Sequence, residues 1–192
     1  MIKDKHTHPI VVGISGASGV ILGIRTLEAL QSLAIETHLI ISPAARLTIE
    51  HETDYEVHDV LALADLAYKH ADISAAPASG TFNSQGMIII PCSIKTLSAV
   101  ANSYAADLLT RAADVTLKEG RKLILVVREA PLHQNHLNLM ETAAKAGAII
   151  FPPVPAFYTK PKNVDDIVNN IVGRVLARMG IDNNLYAPWG ND

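Results

Sequence analysis

Two observations in the sequence predict an α/β fold, a doubly wound parallel sheet held between two layers of helices. The first is a series of short, nearly continuous β-branched runs, the mark of strands covered on both faces. The second is the helix-like stretch that follows each run, an alternation that makes the strands parallel. Strands are expected at Ile10–Ile14, Thr37–Ile41, Met87–Ile90, Leu123–Val127 and Ala148–Phe151. Apolar residues at helical spacing place helices at Gly19–Leu33, Pro43–Glu50, Ile94–Lys118, Leu132–Ala146 and Val164–Met179. The stretch from Thr53 to Ser84 is the least regular. The arrangement is Rossmann-like and three-layered, and such sheets bind ligands beyond the carboxyl ends of their strands, where the strand order reverses.

The chain has 192 residues, a length that suits one domain over 1–192, with a flexible N-terminus over 1–9 and a C-terminal arm over 180–192. Apolar residues make up 49% and charged residues 18%, which excludes a disordered chain. The 16 Lys and Arg against 19 Asp and Glu leave a net charge of −3, so no basic field exists to hold nucleic acid or an anionic membrane. Mean hydropathy is +0.22, yet no apolar run nears the ~20 residues of a membrane span. The surplus apolar surface is expected to lie between the chain's own elements or between subunits. One cysteine and a polar, His- and Lys-rich start point to a cytoplasmic protein.

Chemistry is expected in the loops after the strands. Gly13-Ile-Ser-Gly-Ala-Ser-Gly19 carries glycines three residues apart, which let backbone amides approach a phosphate or flavin edge at a helix N-terminus, with Ser15 and Ser18 adding hydroxyls. It is neither the Gly-x-Gly-x-x-Gly fingerprint nor a P-loop, and a turn serving only packing would look similar. Ser42-Pro43 reads as a helix N-cap. Pro91-Cys-Ser-Ile-Lys-Thr96 sets Ser93, Ile94 and Thr96 at a further helix start, while Cys92 reads as a buried filler. Arg128-Glu129 suits phosphate binding and proton transfer but equally a surface ion pair. Phe157 and Tyr158, stiffened by prolines, wall a pocket or cover the sheet end. Lys118, Arg121 and Lys122 at a helix end are explained by the helix dipole alone, and Arg174 by solvation.

Taken together, Ser15-Gly-Ala-Ser-Gly19, Pro91-Cys-Ser-Ile-Lys-Thr96, Arg111-Ala-Ala-Asp-Val115 with Leu117-Lys-Glu119, Arg128-Glu-Ala-Pro-Leu132, His136-Leu137 with Met140, Pro155-Ala-Phe-Tyr158 and Trp189-Gly190 resemble the UbiX-type flavin prenyltransferases. That family lies within a flavoprotein fold shared with flavin-containing cysteine decarboxylases. The resemblance implies transfer of a dimethylallyl group from dimethylallyl monophosphate to reduced FMN, closing a fourth ring between N5 and C6. The product, prenylated FMN, serves a UbiD-type decarboxylase. By position, Gly16, Ala17, Ser18, Ser42, Ser93, Ile94, Lys95, Thr96 and Arg128 are expected to contact FMN. Lys118, Tyr158 and Arg174 are expected to hold the prenyl phosphate, with Trp189 walling the prenyl pocket. Ser15, Glu50 and Glu129 are expected to move protons.

The physics of the reaction agrees with that assignment. Breaking an allylic carbon–oxygen bond leaves a carbocation and a departing dianion, which ask for π faces and cations respectively. No acidic metal-binding pair appears, so a metal-independent transferase is expected, and the resemblance implies a homo-oligomer, in an assembly as large as a dodecamer. One departure stands out. Where the family reads Gly-x-x-Asp-Asn-Leu, this chain reads Ser103-Tyr-Ala-Ala-Asp-Leu108, with Ala106 and Asp107 at the changed positions. Two rivals remain: a non-catalytic FMN-binding small subunit of an aromatic-acid decarboxylase, and a peptidyl-cysteine decarboxylase, whose Pro-x-Met-Asn segment is missing here.

Overall fold

The computed structural model describes residues 8–187. Six strands form one parallel sheet: β1 (Ile10–Ile14), β2 (Thr37–Ile41), β3 (Leu66–Tyr68), β4 (Gly86–Cys92), β5 (Lys122–Val127) and β6 (Ile149–Ile150), in the spatial order β3-β2-β1-β4-β5-β6. Seven helices connect and cover them: α1 (Val20–Ser32), α2 (Pro43–Glu52), α3 (Val57–Ala62), α4 (Ile94–Ala101), α5 (Leu108–Lys118), α6 (Gln134–Lys145) and α7 (Val164–Met179).

Strand alternation divides the core in two. Ile10, Val12, Ile14, Leu39, Ile88 and Ile124 face α1, α2, α3 and α7. Val11, Ile40, Met87, Ile89, Leu123 and Leu125 face α4, α5 and α6. The two strands at the middle of the sheet, β1 and β4, therefore carry no charged or hydroxyl side chain, which is why the runs read as continuous. Among the described residues, no helix is long and apolar enough to cross a membrane.

Several elements differ from the sequence expectation: β4 is longer (Gly86–Cys92), β6 shorter (Ile149–Ile150), and α6 starts only at Gln134. The stretch Ile94–Lys118 is two helices, since Ser103 adopts φ 50 and Asp107 opens α5 with a capping box to Thr110. β3 and α3 occupy the stretch left unassigned: β3 is a short, half-exposed edge strand with no apolar run to reveal it. α2 extends to Glu52. Of the N-terminal stretch 1–9, residues 1–7 lie outside the described residues, and Gln85 holds the backbone carbonyls of His8 and Pro9.

Candidate active site

The sheet order reverses between β1 and β4, so the loops leaving these strands diverge to opposite faces and open a crevice at the carboxyl edge. A network around Ser15 joins the two loops. The Ser15 amide and hydroxyl both donate to the Pro91 carbonyl, at 3.2 and 2.9 Å, and the Ser93 amide donates to Ser15 Oγ at 2.8 Å. Ser42 caps α2 by accepting from the Ala45 amide at 3.1 Å, and Ser93 caps α4 by accepting from the Thr96 amide at 3.3 Å. α1 has no cap from its own side chains. Gly19, at φ 95, instead donates its amide to Glu52 Oε2 at 2.7 Å, so a carboxylate rests at this helix start. Three helix N-termini thus gather at one edge, an arrangement that favours an anion.

Above this edge opens a cavity of about 1080 Å³. Gly16, Ser42, Pro43 and Ala44 line one side, and Ser93, Lys95, Thr96, Ser98 and Ala99 another. The segment joining α4 to α5 closes it with Asn102, Tyr104, Ala106 and Asp107, beside His70. Gly16 is required by closeness: a Cβ there would sit 2.3 Å from the Ala44 Cβ. Asp107 accepts from the Thr110 amide at 2.8 Å and faces His70 Nε2 at 3.4 Å. Asp and Asn cap helices equally well, so the departure at 107 leaves α5 capped. A flat, mainly apolar ring system with a phosphate tail fits these walls, which pair apolar surface with hydroxyls, orphan helix amides and Lys95, in a volume suited to a ligand of that size.

The expected site residues divide into those at this cavity and those away from it. Gly16, Ser42, Ser93, Lys95 and Thr96 line it. Ala17 is buried within the first loop, Ser18 is half-buried, and Ile94 packs partly against the core. Ser15 lies behind the wall, 1% exposed, with its one proton given to Pro91. Glu50 is exposed and does not line the cavity; Glu52, two residues on and about 200° round the helix, is the acid that reaches the first loop. Arg128 and Glu129 are exposed just beyond β5, where the Arg128 amide donates to the Cys92 carbonyl at 3.0 Å.

The residues expected on the prenyl phosphate do not meet at the cavity of one chain. Lys118 ends α5, at the other end from Asp107, and pairs with Glu119 above Gly80. Tyr158 is 44% exposed in the turn after β6, and Arg174 is exposed on α7 with its guanidinium 5.5 Å from the Phe151 ring centroid. Trp189 lies outside the described residues. Glu52, His70 and Tyr104 went unread in the sequence, because nothing in their spacing separates them from neighbouring polar residues. Cys92 is wholly buried, and that burial pushes its thiol pKa up, as expected of an inert filler.

A family model described as Flavoprotein matches residues 2–176. The flavin prenyltransferase UbiX of Thauera aromatica is 55% identical over 184 residues, covering 95% of each chain. A solved structure of AnUbiX (PadA1) in complex with FMN and dimethylallyl pyrophosphate superposes with a TM-score of 0.94 at 46% identity, covering 96% of this chain and 98% of that one. A dodecameric FMN-dependent Ubix-like decarboxylase from Escherichia coli O157:H7 gives a TM-score of 0.93 at 47% identity, covering 95% of this chain and 100% of its own.

Proposed function

Since the chain belongs to the Flavoprotein family, among its flavin prenyltransferases, we propose that it joins the dimethylallyl group of dimethylallyl monophosphate to reduced FMN, making prenylated FMN. The observation that carries this reading is the crevice at the strand-order reversal, where the N-termini of α2 and α4 bring Ser42, Ser93, Lys95 and Thr96 to one large, mainly apolar cavity. When bound, reduced flavin supplies the nucleophilic N5 and C6 edge. The chain's own task is to hold that edge and the donor together, stabilise the leaving phosphate and keep water from the allylic cation.

The first loop from Gly16 to Ser18 and the second from Ser93 to Thr96 offer amides and hydroxyls to FMN, with Ser42, Lys95 and Arg128 completing the cradle. Lys118, Tyr158 and Arg174 act on the prenyl phosphate, whose departing charge they neutralise. For a proton held or moved at this edge we assign Glu129, next to Arg128, and Glu52 at the end of α2, whose carboxylate accepts the Gly19 amide. Because Lys118 and Arg174 lie away from the cavity of their own chain, they act on the cavity of a neighbouring copy in a homo-oligomer, for which the dodecameric relative is the pattern. The product leaves for a UbiD-type decarboxylase in the cytoplasm.

Anaerobic incubation of the purified protein with reduced FMN and dimethylallyl monophosphate should yield a flavin heavier by one dimethylallyl unit. Absence of that adduct, with both compounds shown to bind, would refute the reading. For the shared site, Lys95→Glu and Lys118→Ala chains, each inactive alone, should regain transfer when dissociated and assembled together. No regain would confine the site to one chain.

A further inference from the structure

We propose that Ser15 is a positioning residue, a buried clamp that fixes the spacing of the two crevice loops and aims the free amides of α4 at the ligand. The inference rests on the flavin reading for its ligand, while the clamp itself is observable in the unliganded protein.

The geometry behind it begins with a carbonyl that the sheet does not use. The β4–β5 register shifts between Ile89 and Cys92, and the Pro91 carbonyl turns to β1's side instead, where it accepts from both the amide and the hydroxyl of Ser15. The same hydroxyl oxygen accepts the Ser93 amide at 2.8 Å, across 78 positions of sequence. One side chain therefore ties the end of β1 to the start of α4 through both its donor and its acceptor. It is 1% exposed, so losing the hydroxyl leaves the buried Pro91 carbonyl and Ser93 amide short of a partner.

The consequence reaches α4 through Ser93. The first four amides of a helix have no intrahelical acceptor. Here the Thr96 amide is satisfied by Ser93 Oγ and the Leu97 amide by the Ser93 carbonyl at 2.8 Å. The Ile94 and Lys95 amides are left over, and Lys95 lines the cavity. The direction of these two donors follows from the backbone of Ser93, and Ser15 holds that backbone. A Ser15 hydroxyl moving protons at the flavin would have to release Pro91 and Ser93 in each cycle, which would let the two loops drift apart.

Two experiments test the clamp. In the first, hydrogen exchange is followed on the intact protein without flavin. The Ser93 amide should be strongly protected, while Ile94 and Lys95 exchange rapidly and gain protection on adding FMN. A Ser93 amide exchanging as fast as its two neighbours would overturn the proposal whether or not FMN binds. In the second, Ser15→Ala should weaken FMN binding roughly tenfold or more, the scale of one buried polar group left unpaired. Whatever kcat remains at saturating flavin should keep an unchanged pH profile, because Ser15 moves no proton in the reaction. A Ser15→Ala protein with wild-type affinity, or one with full affinity but kcat lower by about 10² and a lost pH limb, would overturn it. If Ser15→Ala fails to fold, the exchange measurement on the wild type decides alone. Failure of the wild type to bind FMN would instead sink the flavin reading and leave the Ser93 result standing.

Discussion

Gly16 is the position where a single methyl group tests the whole crevice. A Cβ at 16 would lie 2.3 Å from the Ala44 Cβ, with the Ala44 carbonyl carbon at 3.1 Å and its Cα at 3.3 Å. Carbon atoms rest at about 3.5–4.0 Å, so Gly16→Ala must part the first loop from α2 by more than ~1 Å. Overpacking on this scale costs about 1–3 kcal/mol. For a chain of this length it lowers Tm by roughly 2–12 °C. A binding loop displaced by about 1 Å also costs on the order of 10² in turnover. The assay is thermal unfolding at fixed protein concentration, together with FMN titration by fluorescence quenching and anaerobic turnover. The double variant Gly16→Ala/Ala44→Gly removes the clashing methyl, at a cost of about 0.5–1 kcal/mol for glycine in the first turn of α2. It should recover flavin affinity and show a favourable coupling of ~0.5–3 kcal/mol. A Gly16→Ala protein that melts and binds FMN like wild type would refute the closeness argument, and so would a double variant no better than the single.

Four further outcomes follow from other parts of the molecule. Asp107→Ala should cost about 1 kcal/mol through loss of the α5 cap, while Asp107→Asn should melt like wild type; equal melting of all three would refute the cap. Cys92 should resist iodoacetamide in the folded protein and react once guanidinium unfolds it, and rapid labelling of the native state would contradict its burial. The Tyr55 hydroxyl donates to Glu28 at 2.6 Å, and this bond raises its pKa above the ordinary value. A raised value favours the protonated form in the fold, so the contribution is complete below pH ~10 and is lost as pH rises through the higher folded value. Urea unfolding should therefore show wild type more stable than Tyr55→Phe at neutral pH, with the gap closing in the alkaline range; a constant gap would refute it. Finally, if the site is shared between copies, specific transfer activity should fall with dilution in step with dissociation seen by sedimentation, whereas an active single chain would refute sharing.

What the sequence disclosed follows from how local each signal is. β1 and β2 match their expected runs end to end, because both are covered on both faces and buried at every position, although β2 opens with the polar Thr37 and His38. β3 pairs only with β2 and leaves Leu66 half-exposed, so it carries no such run and is defined by its neighbour alone. The break between α4 and α5 was readable in principle, since Asp107 and Thr110 stand at capping-box spacing. The apolar periodicity on both sides of it masked that signal. The crevice loops were legible for a related reason. Their chemistry is backbone chemistry, and glycine and serine announce it within a few residues. Glu50 and Glu52 show the limit: two acids on one helix differ only in azimuth, and the partner that separates them, Gly19, is 33 residues away.

The cations raise a different question, because the residues expected on a phosphate ligand stand apart in the single chain. Lys118 ends α5 while the cavity wall reaches only as far along it as Thr110, about 12 Å away at 1.5 Å per residue, too far for one lysine to bridge around its own helix. Within one chain Lys118 has a carboxylate neighbour, Glu119, whose pKa it holds below the usual range. An ion pair that exposed adds little to stability, so folding alone gives a weak reason for it. A dianion leaving an allylic carbon gives a stronger one, provided that a second copy brings the lysine to it. On that account the flavin half of the site is built by each chain from its own β1 and β4 loops, and the phosphate half is assembled only where copies meet. Flavin binding and transfer should then separate: a chain kept from its neighbours retains the first and loses the second.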